Sequence, residues 1–298
     1  MVASGTDATP ARTVSLWTTG PRLVPVGRTR ITVTGTPVGE VDLALVTPHG
    51  TRRTEALPLL LAHDGPEYAR RAHLLRVLHD GHLAGRVPAM RVALLRPGPR
   101  NARYAANAHY AEALTEHVLP TVLTAYRTAG RPTIMGASLG GLAALQAEWL
   151  RPGTFAGLFL QSGSFFRRRI DGEESFEHWD RVTTFVSQVS RARRRRSHAR
   201  IVLTCGSAEG NLRNNHLMAR TLERQGHDVD FAVVPGRHDW PSWHRAFDPH
   251  LLDLLAVTAP TTATPTTPST PTGHASSGVA TDGAPPARIA LVDRATGP

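Results

Sequence analysis

Apolar and polar positions alternate with a period of two over residues 29–34 and again over 41–47. Successive side chains of a strand point to opposite faces, so this pattern predicts two early strands. The polar, glycine-containing stretch 35–40 joins them as an antiparallel hairpin. Beyond residue 48 the pattern changes to short apolar runs at 57–62, 91–95, 132–135, 156–161, 201–205 and 229–234. Runs of this length without alternation suit strands buried on both faces. Longer stretches with helical character separate them, at 67–78, 107–128, 142–150, 211–224 and 243–257. Pro120 predicts a break or kink in the second of these. The alternation of the two kinds of segment predicts an α/β fold, a mostly parallel sheet with helices on both faces.

Composition bounds the picture. A chain of 298 residues that is 41% hydrophobic can bury a sizeable core. We place one catalytic domain over 1–258, with residues 1–12 loose. From 259 to 298 Thr, Pro, Ala, Ser and Gly dominate, too poor in large apolar groups to offset the entropy of ordering, which predicts a disordered tail. All 34 basic residues are arginine, and against 24 acids they leave a formal charge of +10. That excess favours acidic partners, although arginine usage also follows genome composition. Cys205 is the only cysteine, so an intramolecular disulfide is excluded and no cysteine-based metal site is visible. No apolar run approaches the ~20 residues of a membrane span. The amino terminus lacks a basic start followed by an apolar block, so the expected location is the cytoplasm. Nothing in the sequence fixes an oligomeric state.

The most informative residues are Gly136-Ala137-Ser138-Leu139-Gly140. They spell G-x-S-x-G between an apolar strand and a helix. A serine in so sharp a turn needs small neighbours, because the flanking chain passes close by. The setting is that of a nucleophile elbow, with Ser138 Oγ held at the carboxyl edge of the sheet. A serine hydroxyl is a poor nucleophile until a base takes its proton, and the base needs an acid to orient it. In this arrangement the acid and then the histidine follow in chain order, each on a loop after a strand. Of fifteen histidines, His238 alone directly follows the last predicted strand. Glu209 lies on the loop after the strand that ends at Cys205. It reads as the orienting acid, or as an acidic residue favoured by the start of the following helix. For the oxyanion of a tetrahedral intermediate, the expected donors are the Leu139 amide and one from His63-Asp64-Gly65, here Gly65. Asp64 reads either as a substrate contact or as an ordinary turn aspartate.

Together these residues resemble the esterase D group of α/β-hydrolases, and within it the enterochelin (ferric siderophore) esterases. The matching pieces are His63-Asp64-Gly65, the segment 100–120 with Asn107 and Tyr110, the elbow, Gln161-Ser162-Gly163-Ser164-Phe165, and Gly236-Arg237-His238-Asp239-Trp240 with Trp243. They occur in family order over about residues 55–255. The resemblance implies Ser138 and His238 as catalytic, Glu209 at the acid position, and hydrolysis of carboxylic esters with no cofactor or metal. Arg237 replaces the family's usual glycine, and Arg103 stands where a glutamate is usual. Only about fifty residues precede the core, so the large amino-terminal domain of the longer siderophore esterases has no room. The group also contains mycolyl transferases and thioester hydrolases.

Two arginine clusters differ in place. Arg167, Arg168 and Arg169 follow a strand and fall on the active-site edge, where they would bind an anionic small-molecule ester such as a ferric catecholate. A solvated basic loop reads equally well. Residues 193–196 precede a strand, on the opposite edge. They suit a helix end, and no recognition motif supports nucleic-acid binding through them. The expected activity is that of a serine carboxylic-ester hydrolase working through Ser138, His238 and Glu209. An acyltransferase of the same group is the alternative, as is a catalytically silent hydrolase fold used for binding.

Overall fold

In the computed structural model, residues 24, 26–172, 175–194, 197–260 and 290–293 are described. The amino-terminal stretch expected to be loose lies outside them, as do residues 261–289 and 294–298 of the tail.

Strands β1 (Val26–Thr36) and β2 (Gly39–Pro48) form the antiparallel hairpin, with Ile31 facing Leu43 and Val33 facing Val41. Six mutually parallel strands follow: β3 (Leu59–Ala62), β4 (Arg91–Leu95), β5 (Thr133–Ala137), β6 (Gly157–Gln161), β7 (Arg200–Gly206) and β8 (Val229–Val234). The sheet order is β8-β7-β6-β5-β3-β4-β2-β1-β9, and β2 joins β4 antiparallel. β9 (Ala290–Asp293) pairs antiparallel with β1, so these four residues of the tail form a strand.

The parallel strands lie between two apolar layers. In β3, Leu59 and Leu61 enter one layer while Leu60 enters the other. β6 repeats this, with Leu158 and Leu160 on one side and Phe159 on the other. Burial on both faces is why these strands read as continuous apolar runs. Helices Leu139–Leu150, Trp179–Arg191 and Leu212–Arg224 cover the first layer. Helices Gly65–Arg71, Leu74–Leu83 and Leu252–Thr258 cover the second. At the start of β4, fully buried Arg91 donates to the carbonyls of Glu55, Arg127 and Arg52 at 2.8, 2.6 and 2.7 Å. It ties together the loops at the amino edge. Among the described residues, no helix is long and apolar enough to cross a membrane.

Three predicted helices are broken. The one at 67–78 divides at His73, which takes a left-handed φ of 52°. The one at 107–128 runs as Ala108–Glu112, a π-helical turn Ala113–Val118, and Leu119–Ala125. Pro120 has no N–H to offer the carbonyl one turn back, and the ladder widens just before it. The last helix starts earlier, at Trp240, and is interrupted where Asp248 is extended.

His63 follows β3 and is completely buried against Tyr104 and Tyr110. Burial, reinforced by the charge of Arg100, pushes its imidazole down to about 3. An unfolded histidine titrates near 6.5. Between these values the unfolded chain binds a proton that the folded protein refuses, so stability is complete above about pH 6.5 and is lost as pH falls. The expected slope from this group is roughly 1.4 kcal/mol per pH unit. His63→Leu should flatten the stability profile by that amount below about pH 6.5, read as the difference between parent and variant in denaturant titrations. An unchanged slope would show that His63 is not the source.

Candidate active site

The sharp turn after β5 is built by close packing. Ser138 has φ 57° and ψ −123°, a conformation that costs an L-residue on the order of 1–3 kcal/mol. Hydrogen bonds hold it there. Its N–H donates to the Gln161 carbonyl at 2.9 Å, and its carbonyl accepts from Gly141, Leu142 and Ser164. A Cβ on Gly136 would lie 2.4 Å from the Gly140 carbonyl carbon. A Cβ on Gly140 would meet the His63 side chain at 3.2 Å, so the backbone after the serine is crowded from a second direction.

Ser138 opens into a cavity of about 480 Å³. Leu139, Ser164 and His238 share the cavity with it, as do Phe166, Phe176 and Asp171. Ser138 Oγ rests 3.3 Å from Ser164 Oγ. The Leu139 N–H, at the first position of its helix, meets no acceptor among the described residues. It is a free donor at the positive end of a helix.

His238 stands on the loop after β8, and its Nδ1 lies 2.7 Å from Glu209 Oε2. The Glu209 side chain is fully buried. Its other oxygen accepts from Ser162 Oγ and from the Gly206 N–H, both at 2.7 Å. Burial alone would raise the Glu209 carboxyl. The hydrogen bonds from His238, Ser162 and Gly206 outweigh it and hold the group below its usual range. Trp243 Nε1 donates to Ser162 Oγ at 2.9 Å, and the Trp243 ring meets the imidazole of His238 edge-on at 5.1 Å. A chain of donors thus runs from Trp243 through Ser162 to Glu209. Ser162 also has a positive φ, 48°, which aims its hydroxyl into this network.

The motif comparison includes Ser162 and Trp243, but no sequence signal links them to Glu209, which is 47 residues from Ser162. A hydrogen bond to a charged group is worth about 1.5–3 kcal/mol, so Ser162→Ala should lower kcat roughly ten- to a hundredfold while KM holds. Parental kcat in that variant would remove Ser162 from the network's function.

Several expected contacts fall elsewhere. Asp64 is not a cavity residue. It is buried and held by Arg100, whose Nε and Nη2 approach its carboxylate at 2.8–3.1 Å. Gly65 does not line the cavity either. A Cβ there would come within 2.3 Å of the Leu94 backbone, so the glycine serves helix-to-strand packing. The arginine cluster also points away. Arg167 Nη2 donates to the Leu217 carbonyl and to Thr221, and Arg168 pairs with Asp180 at the surface. Arg169 is exposed and is not among the residues lining the cavity. The loop is on the predicted edge, but its long side chains turn to the neighbouring helix and to solvent. Arg103 is buried and donates to the carbonyls of Val38 and Glu40 at the β1–β2 turn.

Residues 36–254 match the family described as "Putative esterase". No curated protein matches the sequence. Among solved structures, the enterobactin esterase from Shigella flexneri superposes with a TM-score of 0.64 at 22% identity, covering 79% of this chain and 60% of that one. The chain therefore spans little more than half the length of that relative. A ferulic acid esterase gives a TM-score of 0.62 at 18% identity, over 80% of this chain and 99% of the other. The Staphylococcus aureus fluorophosphonate-binding serine hydrolase F gives 0.57 at 15%, over 78% and 99%. These likenesses establish the α/β-hydrolase fold.

Proposed function

The chain belongs to this esterase family, and from that premise we propose that it is a serine carboxylic-ester hydrolase with Ser138 as nucleophile, His238 as base and Glu209 as orienting acid. The observation that carries the reading is the convergence on one cavity of a strained serine and a histidine whose far nitrogen is bound to a buried carboxylate. In the proposed cycle Ser138 Oγ turns from Ser164 towards His238. Nε2 takes its proton as Oγ attacks the ester carbonyl carbon. The Leu139 N–H donates a hydrogen bond to the developing oxyanion. His238 returns the proton to the departing alcohol, leaving an acyl group on Ser138. Water, deprotonated by His238, attacks the acyl carbon; the bond to Ser138 Oγ breaks, His238 returns the proton to Oγ, and the acid leaves. Glu209 fixes the imidazole tautomer and stabilises the imidazolium in both halves.

Two structural neighbours are named as esterases and a third as a serine hydrolase that binds fluorophosphonates, which supports the reaction class. The siderophore ester implied by the sequence resemblance draws support from the first of these neighbours. It draws none from the arginine cluster, which does not reach the cavity. The purified protein should hydrolyse a short p-nitrophenyl ester, with free acid as the acyl product even when an alcohol acceptor is added. An acyl product found mainly on the added alcohol would reassign it as a transferase. No turnover by folded protein across a panel of acyl and aryl esters would contradict the hydrolase reading.

A further inference from the structure

The cavity beside Ser138 has an aromatic wall and a negative charge. Phe166 and Phe176 line it, and their rings pack at 5.5 Å and 60°. Trp179 backs both, at 5.7 and 5.1 Å. An aromatic wall made rigid in this way suits a flat apolar group. Asp171 also lines the cavity. Its carboxylate is fixed by Asn214 Nδ2 at 3.0 and 3.2 Å and by the Arg167 N–H at 2.7 Å. These are neutral donors. The Arg167 guanidinium hydrogen-bonds the Leu217 carbonyl and Thr221, and it acts on the Asp171 charge only through space, without a direct contact. Among the described residues no ion pair with Asp171 is formed, and no arginine lines the cavity. Glu177, behind the lining residue Asn101 whose Nδ2 donates to it at 3.4 Å, is already engaged by His178 Nε2 at 3.2 Å and by the charge of Arg181, so Asp171 is the carboxylate that faces the cavity.

Resting on the ester-hydrolase reading, we propose that Asp171 selects the substrate by charge. The site takes esters of aryl acids whose ring carries a cationic group, accepts neutral rings less well, and rejects anionic ones, so this selectivity keeps the ester-hydrolase reading and excludes an anionic ferric catecholate as substrate. A carboxylate oxygen has lone pairs left after the bonds to Asn214 and Arg167, so it can accept from an ammonium on the ring. A carboxylate on the same ring would meet like charge in a partly desolvated cavity.

The test uses three ethyl esters of similar size: those of 4-(aminomethyl)benzoic acid, 4-ethylbenzoic acid and terephthalic acid (as the monoester). The ethyl leaving group leaves one ring to occupy the aromatic wall. At low salt, kcat/KM should fall in that order, with at least about a tenfold gap between the cationic and anionic esters. High salt should narrow the gap, and Asp171→Asn should reduce it to within about twofold. Equilibrium binding of the same uncleaved esters to Ser138→Ala protein reads the ranking without turnover. Failure of the hydrolase reading therefore leaves the charge ranking measurable. The same ranking in parent and Asp171→Asn proteins, preference for the anionic ester, or no binding of any of the three would overturn the proposal.

Discussion

Ser138→Ala should abolish ester hydrolysis while leaving the fold intact. The expected loss in kcat is roughly 10⁴-fold or more, because removal of a nucleophile leaves only the residual effect of binding and oxyanion stabilisation. The backbone hydrogen bonds that hold the elbow do not involve the hydroxyl. The side chain loses one contact, at 3.3 Å to Ser164. Stability should therefore stay within about 1 kcal/mol of the parent, so inactivity could not be blamed on unfolding. Circular dichroism and denaturant titration beside the p-nitrophenyl assay separate the two effects. Turnover comparable to the parent would place the chemistry on another residue.

Glu209→Gln should have the next largest effect, about 10³ to 10⁴ in kcat. Glutamine keeps the size of the side chain but removes the charge that stabilises the His238 imidazolium. It also brings an amide N–H₂ into a place where Ser162, Gly206 and His238 all approach the present carboxylate within 2.7 Å. One of those neighbours must then lose its acceptor or turn, and the imidazole loses its fixed tautomer. KM should change far less than kcat, since the carboxylate is buried behind the histidine. A Glu209→Gln protein with near-parental kcat would show that some other group orients His238.

Much of this architecture could be read from the residues in order. Strands buried on both faces leave continuous apolar runs, and β4 and β8 coincide with the predicted segments. The elbow was legible because steric crowding limits which residues can flank Ser138. Chain order puts His238 and Glu209 on one edge, since each follows a strand whose carboxyl end points there, and the two side chains meet at 2.7 Å.

What escaped depends on direction and on distant contacts. Sequence puts Arg167, Arg168 and Arg169 on the correct loop, but a long side chain can turn to either side of its backbone. Helix Leu212–Arg224 offers Arg167 a carbonyl and a hydroxyl that sequence cannot place nearby. Asp64 reads from sequence either as a substrate contact or as a turn aspartate, because its partner Arg100 lies 36 residues further on. The helix break at His73 rests on a left-handed histidine, where no glycine gives warning. The link from Trp243 to Ser162 spans 81 residues. It exists only once β6 and the last helical segment lie side by side.

Whether Ser138 is the nucleophile is decided by reacting the protein with a fluorophosphonate and locating the adduct by intact-mass and peptide mass spectrometry. The expected result is a single covalent adduct on Ser138 that forms neither in Ser138→Ala nor in unfolded protein. An adduct on Ser164, the hydroxyl 3.3 Å away, or on any other residue, would contradict it, as would no adduct on the folded protein.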